Sequence, residues 1–211
     1  MTKEEFIIAL KELNIIPTEK QLIDLEKFYN LLIEWNEKIN LTRIVEKEEV
    51  YLKHFYDSLT ITKAQDLNKI QTLCDIGTGA GFPGIILKIF YPNLKVTLVD
   101  SLNKRVNYLK EIIKVLNLQD IEVIHERGEK FQGKYDLVTS RAVANIEKLV
   151  NYTMHLIGKK GVFIAMKGDI DKELTKEVTK KLSNKYKIVD IIKFKLPKEN
   201  SNRSLVIMKN K

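Results

Sequence analysis

Short apolar segments alternate with helical segments from residue 72 onward, and this alternation restricts the fold more than any other feature of the sequence. Strands separated by helical segments of about 10–15 residues are typical of βαβ units, in which helices cover both faces of a parallel sheet. No helical segment separates the last two strands, which predicts a hairpin and an antiparallel edge strand. The pattern therefore predicts an α/β domain with a mostly parallel, seven-stranded sheet. The predicted strands are Thr72–Ile76, Lys95–Val99, Ile121–Ile124, Tyr135–Thr139, Gly161–Met166, Tyr186–Phe194 and Ser204–Met208.

Helical periodicity covers the part of the chain that precedes these strands. Capping boxes of the form Thr-x-x-Glu/Gln begin two helices, at Thr2 and at Thr18, and apolar residues follow each of them at helical spacing. We therefore expect a helical extension over residues 1–64, packed on a core domain over residues 65–211. The other predicted helices are Glu46–Lys63, Ile85–Phe90, Leu102–Leu116, Ile146–Leu156 and Asp169–Leu182.

A glycine-rich loop connects the first predicted strand to the helix that follows it. Open α/β sheets bind their ligands at this position, beyond the carboxyl ends of the strands. Gly77, Gly79 and Gly81 permit tight turns and allow a ligand to approach the backbone closely. The spacing Asp-x-Gly-x-Gly-x-Gly departs from the dinucleotide-binding pattern, because Phe82 stands where the third glycine of that pattern would be. The absence of Gly-Lys-Ser/Thr excludes a P-loop.

Two aspartates accompany the glycine loop. Asp100 ends the second strand and is placed to accept hydrogen bonds from both ribose hydroxyls of an adenosine. Asp75 adds a negative charge suited to the cationic sulfonium and ammonium groups of S-adenosylmethionine. Both could instead be caps at strand ends, but the loop, its spacing and Asp100 together favour a site for S-adenosylmethionine. Gly128 and Glu129 follow the third strand and, taken alone, could form a surface turn; only the family resemblance given below implies that adenine lies beside them.

Positive charge is concentrated toward the end of the chain. Residues 1–150 have a net charge of −1, whereas residues 151–211 have a net charge of +9. Such asymmetry is typical of proteins that bind nucleic acid, although lysines that only solvate helix faces would give the same count. Arg141, Lys167 and Arg203 stand near strand ends, and we expect them to line an RNA-facing rim. For each of them an ordinary salt bridge or solvated surface is the alternative.

The sequence contains a single cysteine, and no apolar run approaches the roughly 18 residues of a membrane span. Its N-terminus lacks the basic and apolar regions of a signal peptide. These features predict a cytoplasmic protein. Cys74 leaves too few thiols for a cysteine-rich metal site, and no metal is expected. Because Cys74 lies inside the first strand, we expect a small buried residue and not a nucleophile.

These motifs resemble those of the bacterial 16S ribosomal RNA guanine-N7 methyltransferases, the glucose-inhibited division protein B family, over nearly the whole chain. The resemblance implies a Rossmann-like class I methyltransferase fold and a monomer that acts on 16S ribosomal RNA or the small ribosomal subunit. It implies cofactor contacts from Gly77, Phe82, Gly128, Glu129 and Arg141. At Gly128 the family is expected to carry a side chain, but glycine should preserve a backbone contact. The matching residues are Trp35-Asn36, Asn40-Leu41-Thr42, His54, Asp57-Ser58, the loop from Asp75 to Gly84, Val99 to Leu102, Lys104-Arg105, Ser140-Arg141-Ala142, Met166-Lys167-Gly168 and Arg203. Of these, Lys104 and Arg105 are further candidates for RNA binding.

The sequence lacks the motif of enzymes that methylate exocyclic amines, and this absence agrees with methylation at guanine N7. N7 has a lone pair and no proton, so its attack on the sulfonium methyl needs positioning of the two reactants but no general base. We therefore expect no catalytic base and a positioning role for Arg141. The segment Ser140–Val143 stands where enzymes that methylate exocyclic amines carry an Asp/Asn-Pro-Pro-aromatic motif.

Two alternative functions stay open from the residues alone, and so does the role of one cluster of side chains. A small-molecule methyltransferase would explain the loop and Asp100 but not the positive charge after residue 150. A module that binds a nucleotide or nucleic acid without catalysis is the other function to consider. His54, Asp57 and Ser58 share one helix face, and they either tie the N-terminal helices to the sheet or contact the substrate.

Overall fold

The computed structural model describes residues 1–211 and contains seven strands. They are β1 (Thr72–Ile76), β2 (Lys95–Asp100), β3 (Ile121–His125), β4 (Tyr135–Arg141), β5 (Ile157–Lys167), β6 (Tyr186–Lys195) and β7 (Asn202–Asn210). They form one sheet with the order β3-β2-β1-β4-β5-β7-β6. The pairs among β1 to β5 are parallel, whereas β7 is antiparallel to both of its neighbours, β5 and β6. This confirms the predicted mostly parallel sheet with an antiparallel edge.

Eight α-helices surround the sheet. They are α1 (Lys3–Leu10), α2 (Glu19–Ile39), α3 (Lys47–Val50), α4 (Asp57–Leu59), α5 (Gly84–Phe90), α6 (Asn103–Val115), α7 (Ile146–Thr153) and α8 (Lys176–Lys185). The predicted capping boxes at Thr2 and Thr18 begin α1 and α2. None of the helices has the length and apolar composition needed to cross a membrane.

The two faces of the sheet are covered by separate apolar clusters. The larger cluster has 39 buried residues and joins α1, α2, α5 and α6 to one face, whereas the smaller has 16 and lies under α7 and α8. Phe6, Phe28 and Phe55 are fully buried in the larger cluster together with Leu98 of β2. The N-terminal helices are therefore part of the main core. Trp35 is partly buried and packs against Tyr108 of α6 with ring centroids 5.8 Å apart.

The predicted helix over Asp169–Leu182 is wrong in its first half. α8 begins only at Lys176, where the side chain of Thr175 accepts a hydrogen bond from the backbone N–H of Val178. A 3₁₀ turn precedes it, because Ile170 is fully buried and Glu173 accepts a hydrogen bond from the N–H of Ile146. These contacts are tertiary, and helical periodicity alone does not reveal them.

The structure also adjusts two other predicted elements. The helical segment predicted over Glu46–Lys63 is continuous, but Tyr51–Tyr56 is a π-helical turn between α3 and α4. Such turns inside helices frequently occur at functional sites. The fifth strand begins at Ile157, four residues before the predicted start.

Parallel pairing brings the carboxyl ends of the central strands to one edge of the sheet. Ile76 of β1 pairs with Val99 of β2, and Arg141 of β4 pairs with Met166 of β5. The residues that follow these strands therefore meet at that edge, which carries the glycine loop.

Candidate cofactor and substrate site

The glycine loop turns sharply at three positions that only glycine adopts without strain. Gly77, Gly79 and Gly81 have φ angles of 69°, 60° and 92°. The N–H of Gly77 donates to the carbonyl of Val99 at 2.8 Å, which fixes the loop to the end of β2. A Cβ on Gly81 would lie 2.6 Å from Ile85, whereas a Cβ on Gly79 would meet only the carbonyl of Gly77, 3.9 Å away. Gly79 therefore faces open space where a ligand can approach the backbone.

Asp75 lies behind the loop and braces it. Its Oδ2 accepts hydrogen bonds from the Thr78 hydroxyl at 2.7 Å and from the N–H of Gly84 at 2.9 Å. The other oxygen, Oδ1, is buried without a hydrogen-bond partner. Burial raises the pKa of this carboxyl group from 3.8 to about 6. Asp75 thus holds the loop against the first turn of α5, and its predicted interaction with a cationic cofactor stays a prediction.

Asp100 connects the glycine loop to the start of α6. It is buried, its Oδ2 accepts from the N–H of Gly79 at 2.9 Å, and its Oδ1 accepts from the N–H of Leu102 at 2.9 Å. Arg105 approaches Oδ2 at 3.5 Å. The carboxylate therefore lies beside the one glycine of the loop that faces open space.

Two adjoining cavities in front of the loop form a continuous depression, here termed the loop cleft. One has a volume of about 410 Å³ and the other about 260 Å³. Both are lined by Gly77, Asp100, Ser101 and Val143. The larger cavity adds Thr42, His54, Phe82, Arg105 and Arg141, and the smaller adds Glu126, Arg127, Gly128, Glu129 and Tyr152. A two-lobed cleft with a carboxylate at the junction suits a ligand made of a nucleoside and an amino acid.

Two close approaches shape this cleft. A Cβ on Gly77 would lie 2.5 Å from a methyl group of Val143, so Val143 covers the loop directly. A Cβ on Gly128 would lie 2.7 Å from a methyl group of Ile76, so the side chain that the family resemblance predicts here would require Ile76 to shift. Val143 was not among the predicted site residues, although it directly follows the Ser140-Arg141-Ala142 motif.

Arg141 links the loop cleft to the N-terminal helices. Its guanidinium donates to Asp57 Oδ2 at 3.0 Å and to the carbonyl of Lys53 at 2.9 Å, and it lies 5.0 Å from the centre of the Phe82 ring. Its other terminal nitrogen is 3.1 Å from Nδ1 of His54. The predicted tie between the N-terminal helices and the sheet is therefore present, and Arg141 is its centre.

His54 is held neutral in this arrangement. Its ring stacks on Phe82 with centroids 4.4 Å apart, and burial, aided by the charge of Arg141, lowers its pKa from 6.5 to about 3. Nδ1 lies 3.1 Å from a guanidinium nitrogen of Arg141 and 3.1 Å from the carbonyl oxygen of Lys53, and Nε2 lies 3.0 Å from the hydroxyl of Thr42. Both ring nitrogens are thereby engaged.

A further cavity of about 400 Å³, here termed the side cavity, adjoins the loop cleft. The two share His54, Arg141 and Ala142 as lining residues. Two of the predicted RNA-binding residues, Lys167 and Arg203, line the side cavity, but both are paired with carboxylates. Lys167 lies 2.9 Å from Glu173, and Arg203 Nε lies 3.0 Å from Asp57 Oδ1.

The other two RNA-binding candidates lie on α6. Arg105 lines the loop cleft, whereas Lys104 is exposed and donates to the carbonyl of Ile39 at 3.2 Å. The structure thus brings most of the predicted site together and leaves Lys104 outside the cavities described. Glu173 had no sequence signal, because only the fold brings it to Lys167.

A mostly parallel seven-stranded sheet with an antiparallel β7, a glycine loop after β1 and a carboxylate at the end of β2 together define a class I S-adenosylmethionine-dependent methyltransferase. The family model described as "GidB: rRNA small subunit methyltransferase G" matches residues 21–206. The chain belongs to this family, which confirms the resemblance described above and makes it a ribosomal RNA methyltransferase. Neither a small-molecule methyltransferase nor a module without catalysis agrees with this membership.

Full-length relatives carry the same name, "Ribosomal RNA small subunit methyltransferase G". The relative from Bacillus pumilus is 44% identical over 220 residues, which cover 100% of this chain and 91% of that protein. The relative from Desulforamulus reducens is 50% identical over 209 residues, covering 95% and 87%.

Solved structures agree on the fold. A ribosomal protein L11 methylase from Lactobacillus delbrueckii subsp. bulgaricus superimposes with a TM-score of 0.55 at 19% identity, covering 74% of this chain and 76% of that one. M. jannaschii TYW2, solved in complex with AdoMet, gives a TM-score of 0.53 at 20% identity, covering 68% and 70%. At these identities the likeness concerns the class I methyltransferase fold alone.

Proposed function

We propose that this enzyme transfers the methyl group of S-adenosylmethionine to N7 of a guanine in 16S ribosomal RNA of the small ribosomal subunit. The observation that carries the proposal is the junction of the loop cleft with the side cavity at His54, Arg141 and Ala142. A cofactor in the first and a base in the second would meet at this junction.

The loop cleft fits the cofactor in shape and charge. Asp100 would accept hydrogen bonds from the ribose hydroxyls, while the backbone of Gly79 allows close approach and Gly77 lines the cleft beneath Val143. Gly128 and Glu129 would border the adenine, and Phe82 and Arg141 the methionine portion, where the guanidinium is suited to a carboxylate. When bound, S-adenosylmethionine supplies an electrophilic methyl group on its sulfonium.

The groups at the junction support a reaction without a general base. His54 is neutral, and its two nitrogens are engaged by Arg141 and Thr42. Asp57 uses one oxygen for Arg141 and the other for Arg203. No proton has to leave N7, so residues that are fully occupied in holding one another can serve this reaction by positioning the reactants.

We also infer how the parts of the chain contribute. Residues 65–211 would bind the cofactor, and the extension over residues 1–64 would help to hold the base, since His54 and Asp57 line the side cavity. Our candidates for contacts to RNA phosphates are Lys104 beside the loop cleft and Arg105 in its lining, together with Lys167 and Arg203 in the lining of the side cavity. We propose that the enzyme works as a monomer in the cytoplasm, where its ribosomal RNA substrate is.

The test is methyl transfer from labelled S-adenosylmethionine to 16S ribosomal RNA, offered both free and in small subunits, followed by digestion to nucleosides. We expect label in N7-methylguanosine. Label in another nucleoside, or no transfer to either substrate, would overturn the proposal. A Gly79→Val variant is the control, because a branched side chain at positive φ would project into the cleft and should abolish methyl transfer while RNA binding persists.

A further inference from the structure

The positive charge of the last 61 residues is not concentrated at the cofactor edge of the sheet. Lys167, Arg203 and Arg105 stand at that edge, but each is paired with a carboxylate, from Glu173, Asp57 and Asp100 respectively. A cation that is already in an ion pair attracts a phosphate less strongly than an unpaired cation does. Residues 151–211 have a net charge of +9, and their unpaired positive charge must therefore lie elsewhere on the surface.

Five lysines meet at the opposite edge of the sheet, where the parallel strands begin. Lys134 precedes β4, Lys159 and Lys160 stand near the start of β5, and Lys209 and Lys211 stand at the end of β7. β7 is antiparallel to β5, so its end lies beside the beginning of β5. These five lysines, here termed the amino-edge patch, line one open groove of about 680 Å³.

The groove contains no compensating side chain. Its other lining residues are Ile157, Gly158, Gly161 and Asn210, so no aspartate or glutamate is among them. None of the five lysines forms an ion pair. The only partners of their ammonium groups are carbonyls: Lys134 donates to His155 at 2.7 Å and Lys211 to Asn184 at 3.4 Å.

Strand pairing adds a further lysine next to this patch. Lys187 of β6 stands directly opposite Lys209 of β7, and both are exposed. Like charges placed directly opposite in an antiparallel pair are destabilising, so this arrangement costs the free chain stability. A bound polyanion would relieve that repulsion.

The patch is remote from the methyl-transfer site. β5 has 11 residues and runs from the patch at Ile157 to the side cavity at Lys167. At about 3.3 Å per residue its two ends are roughly 33 Å apart. One short RNA segment that places a guanine in the side cavity therefore does not also reach the patch.

We propose that the amino-edge patch binds the phosphates of a second segment of the ribosomal RNA, distinct from the segment that contains the target guanine. The inference rests on the proposed function, because that function supplies a polyanion long enough to reach both edges. Uncompensated lysines recognise phosphate by charge and release counterions when they do so. The patch would thereby orient the enzyme on a large folded substrate.

The test compares two triple variants with the wild-type chain. Lys159→Gln, Lys160→Gln and Lys209→Gln remove charge from the patch. Lys172→Gln, Lys176→Gln and Lys180→Gln are the matched control, since these lysines are also exposed and form no ion pair. Binding of 16S ribosomal RNA is measured at several salt concentrations, together with affinity for S-adenosylmethionine and the kinetics of methyl transfer.

We expect the patch variant to bind the RNA more weakly and to lose about 2 from the slope of log K against log salt, as removal of three phosphate contacts would do. Its kcat and cofactor affinity should equal those of the wild type, while its KM for RNA rises. A wild-type slope in the patch variant, or an equal loss in the control variant, would overturn the inference. Failure of the wild-type chain to form N7-methylguanosine would instead refute the proposed function and would leave the comparison of slopes interpretable.

Discussion

Replacing Asp75 by asparagine tests the idea that the glycine loop is braced by a carboxyl group whose burial is costly. Asp75 is fully buried, and only one of its two oxygens has hydrogen-bond partners. Burial raises its pKa from 3.8 to about 6. Asparagine keeps the shape of the side chain and an oxygen that can accept from Thr78 and Gly84, but it does not ionise.

The expected effect on stability follows from the direction of this pKa change. A group whose pKa is higher in the folded chain than in the unfolded chain stabilises the fold fully below the unfolded pKa, and that contribution is lost as pH rises through the folded pKa. For Asp75 the loss extends from about pH 4 to about pH 7. A pKa difference of roughly two corresponds to about 3 kcal/mol in the free energy of unfolding.

The assay is urea denaturation of the wild type and of Asp75→Asn at several pH values from 4 to 8. The wild type should lose most of this free energy, about 2.5 kcal/mol, relative to the variant between pH 4 and pH 7. If the difference in the free energy of unfolding between the wild type and Asp75→Asn stayed constant over this range, the reasoning would be refuted, because Asp75 would then be ionised throughout.

Asp136→Asn provides a control, because the pKa of Asp136 is shifted in the opposite direction to that of Asp75. Burial, which raises the pKa of Asp136, is outweighed by hydrogen bonds from Gln71 and Thr72, which hold that pKa below its usual value. The stability that Asp136 contributes is therefore present above about pH 4 and lost as pH falls further. The difference in the free energy of unfolding between Asp136→Asn and the wild type should therefore stay constant between pH 5 and pH 8.

Three further predictions concern cofactor binding, the cysteine and the ion-pair network. Asp100→Ala should weaken binding of S-adenosylmethionine by roughly 1.5–3 kcal/mol, as loss of a charge-assisted hydrogen bond does, and unchanged affinity by isothermal titration would remove Asp100 from the site. Burial raises the pKa of the Cys74 thiol well above its usual value, so Cys74→Ala should keep methyl transfer within several-fold of the wild type. A folded, cofactor-binding Cys74 variant without activity would point to covalent catalysis instead. Asp57→Ala should reduce the free energy of unfolding by about 3–5 kcal/mol, because it leaves Arg141, whose side chain is only 13% exposed, without its carboxylate. A loss below about 1 kcal/mol in urea denaturation would show that this pair behaves as an exposed one.

The sequence predicted those parts of the site that depend on local order along the chain. The loop from Asp75 to Gly84 and the carboxylate at Asp100 follow from strand ends and glycine spacing, and the structure places them at one edge of the sheet. The predicted role of Asp75 toward the cofactor is untested, and its hydrogen bonds to Thr78 and Gly84 show a bracing role that spacing did not indicate.

Contacts between distant parts of the chain were beyond the reach of the sequence. Asp57 pairs with Arg141 and Arg203, which are 84 and 146 positions away, and only the packing of the N-terminal helices on the sheet joins them. The same holds for Lys167 with Glu173, since the predicted helix over this region would have placed the glutamate differently. The net charge of each part of the chain follows from the sequence, but the position of the unpaired positive charge on the surface depends on these ion pairs.

The proposed methylation of N7 is tested most directly by replacing guanosine with 7-deazaguanosine in a 16S ribosomal RNA transcript. Carbon replaces N7 in this nucleoside, so the lone pair that would attack the methyl group is absent. Labelled methyl transfer from S-adenosylmethionine is measured with modified and unmodified transcripts, free and reconstituted into small subunits, and RNA binding is measured in parallel. We predict methylation of the unmodified RNA and none of the 7-deazaguanosine RNA, although the enzyme still binds it. Equal methyl incorporation into both would show that another atom accepts the methyl group and would contradict the proposed function.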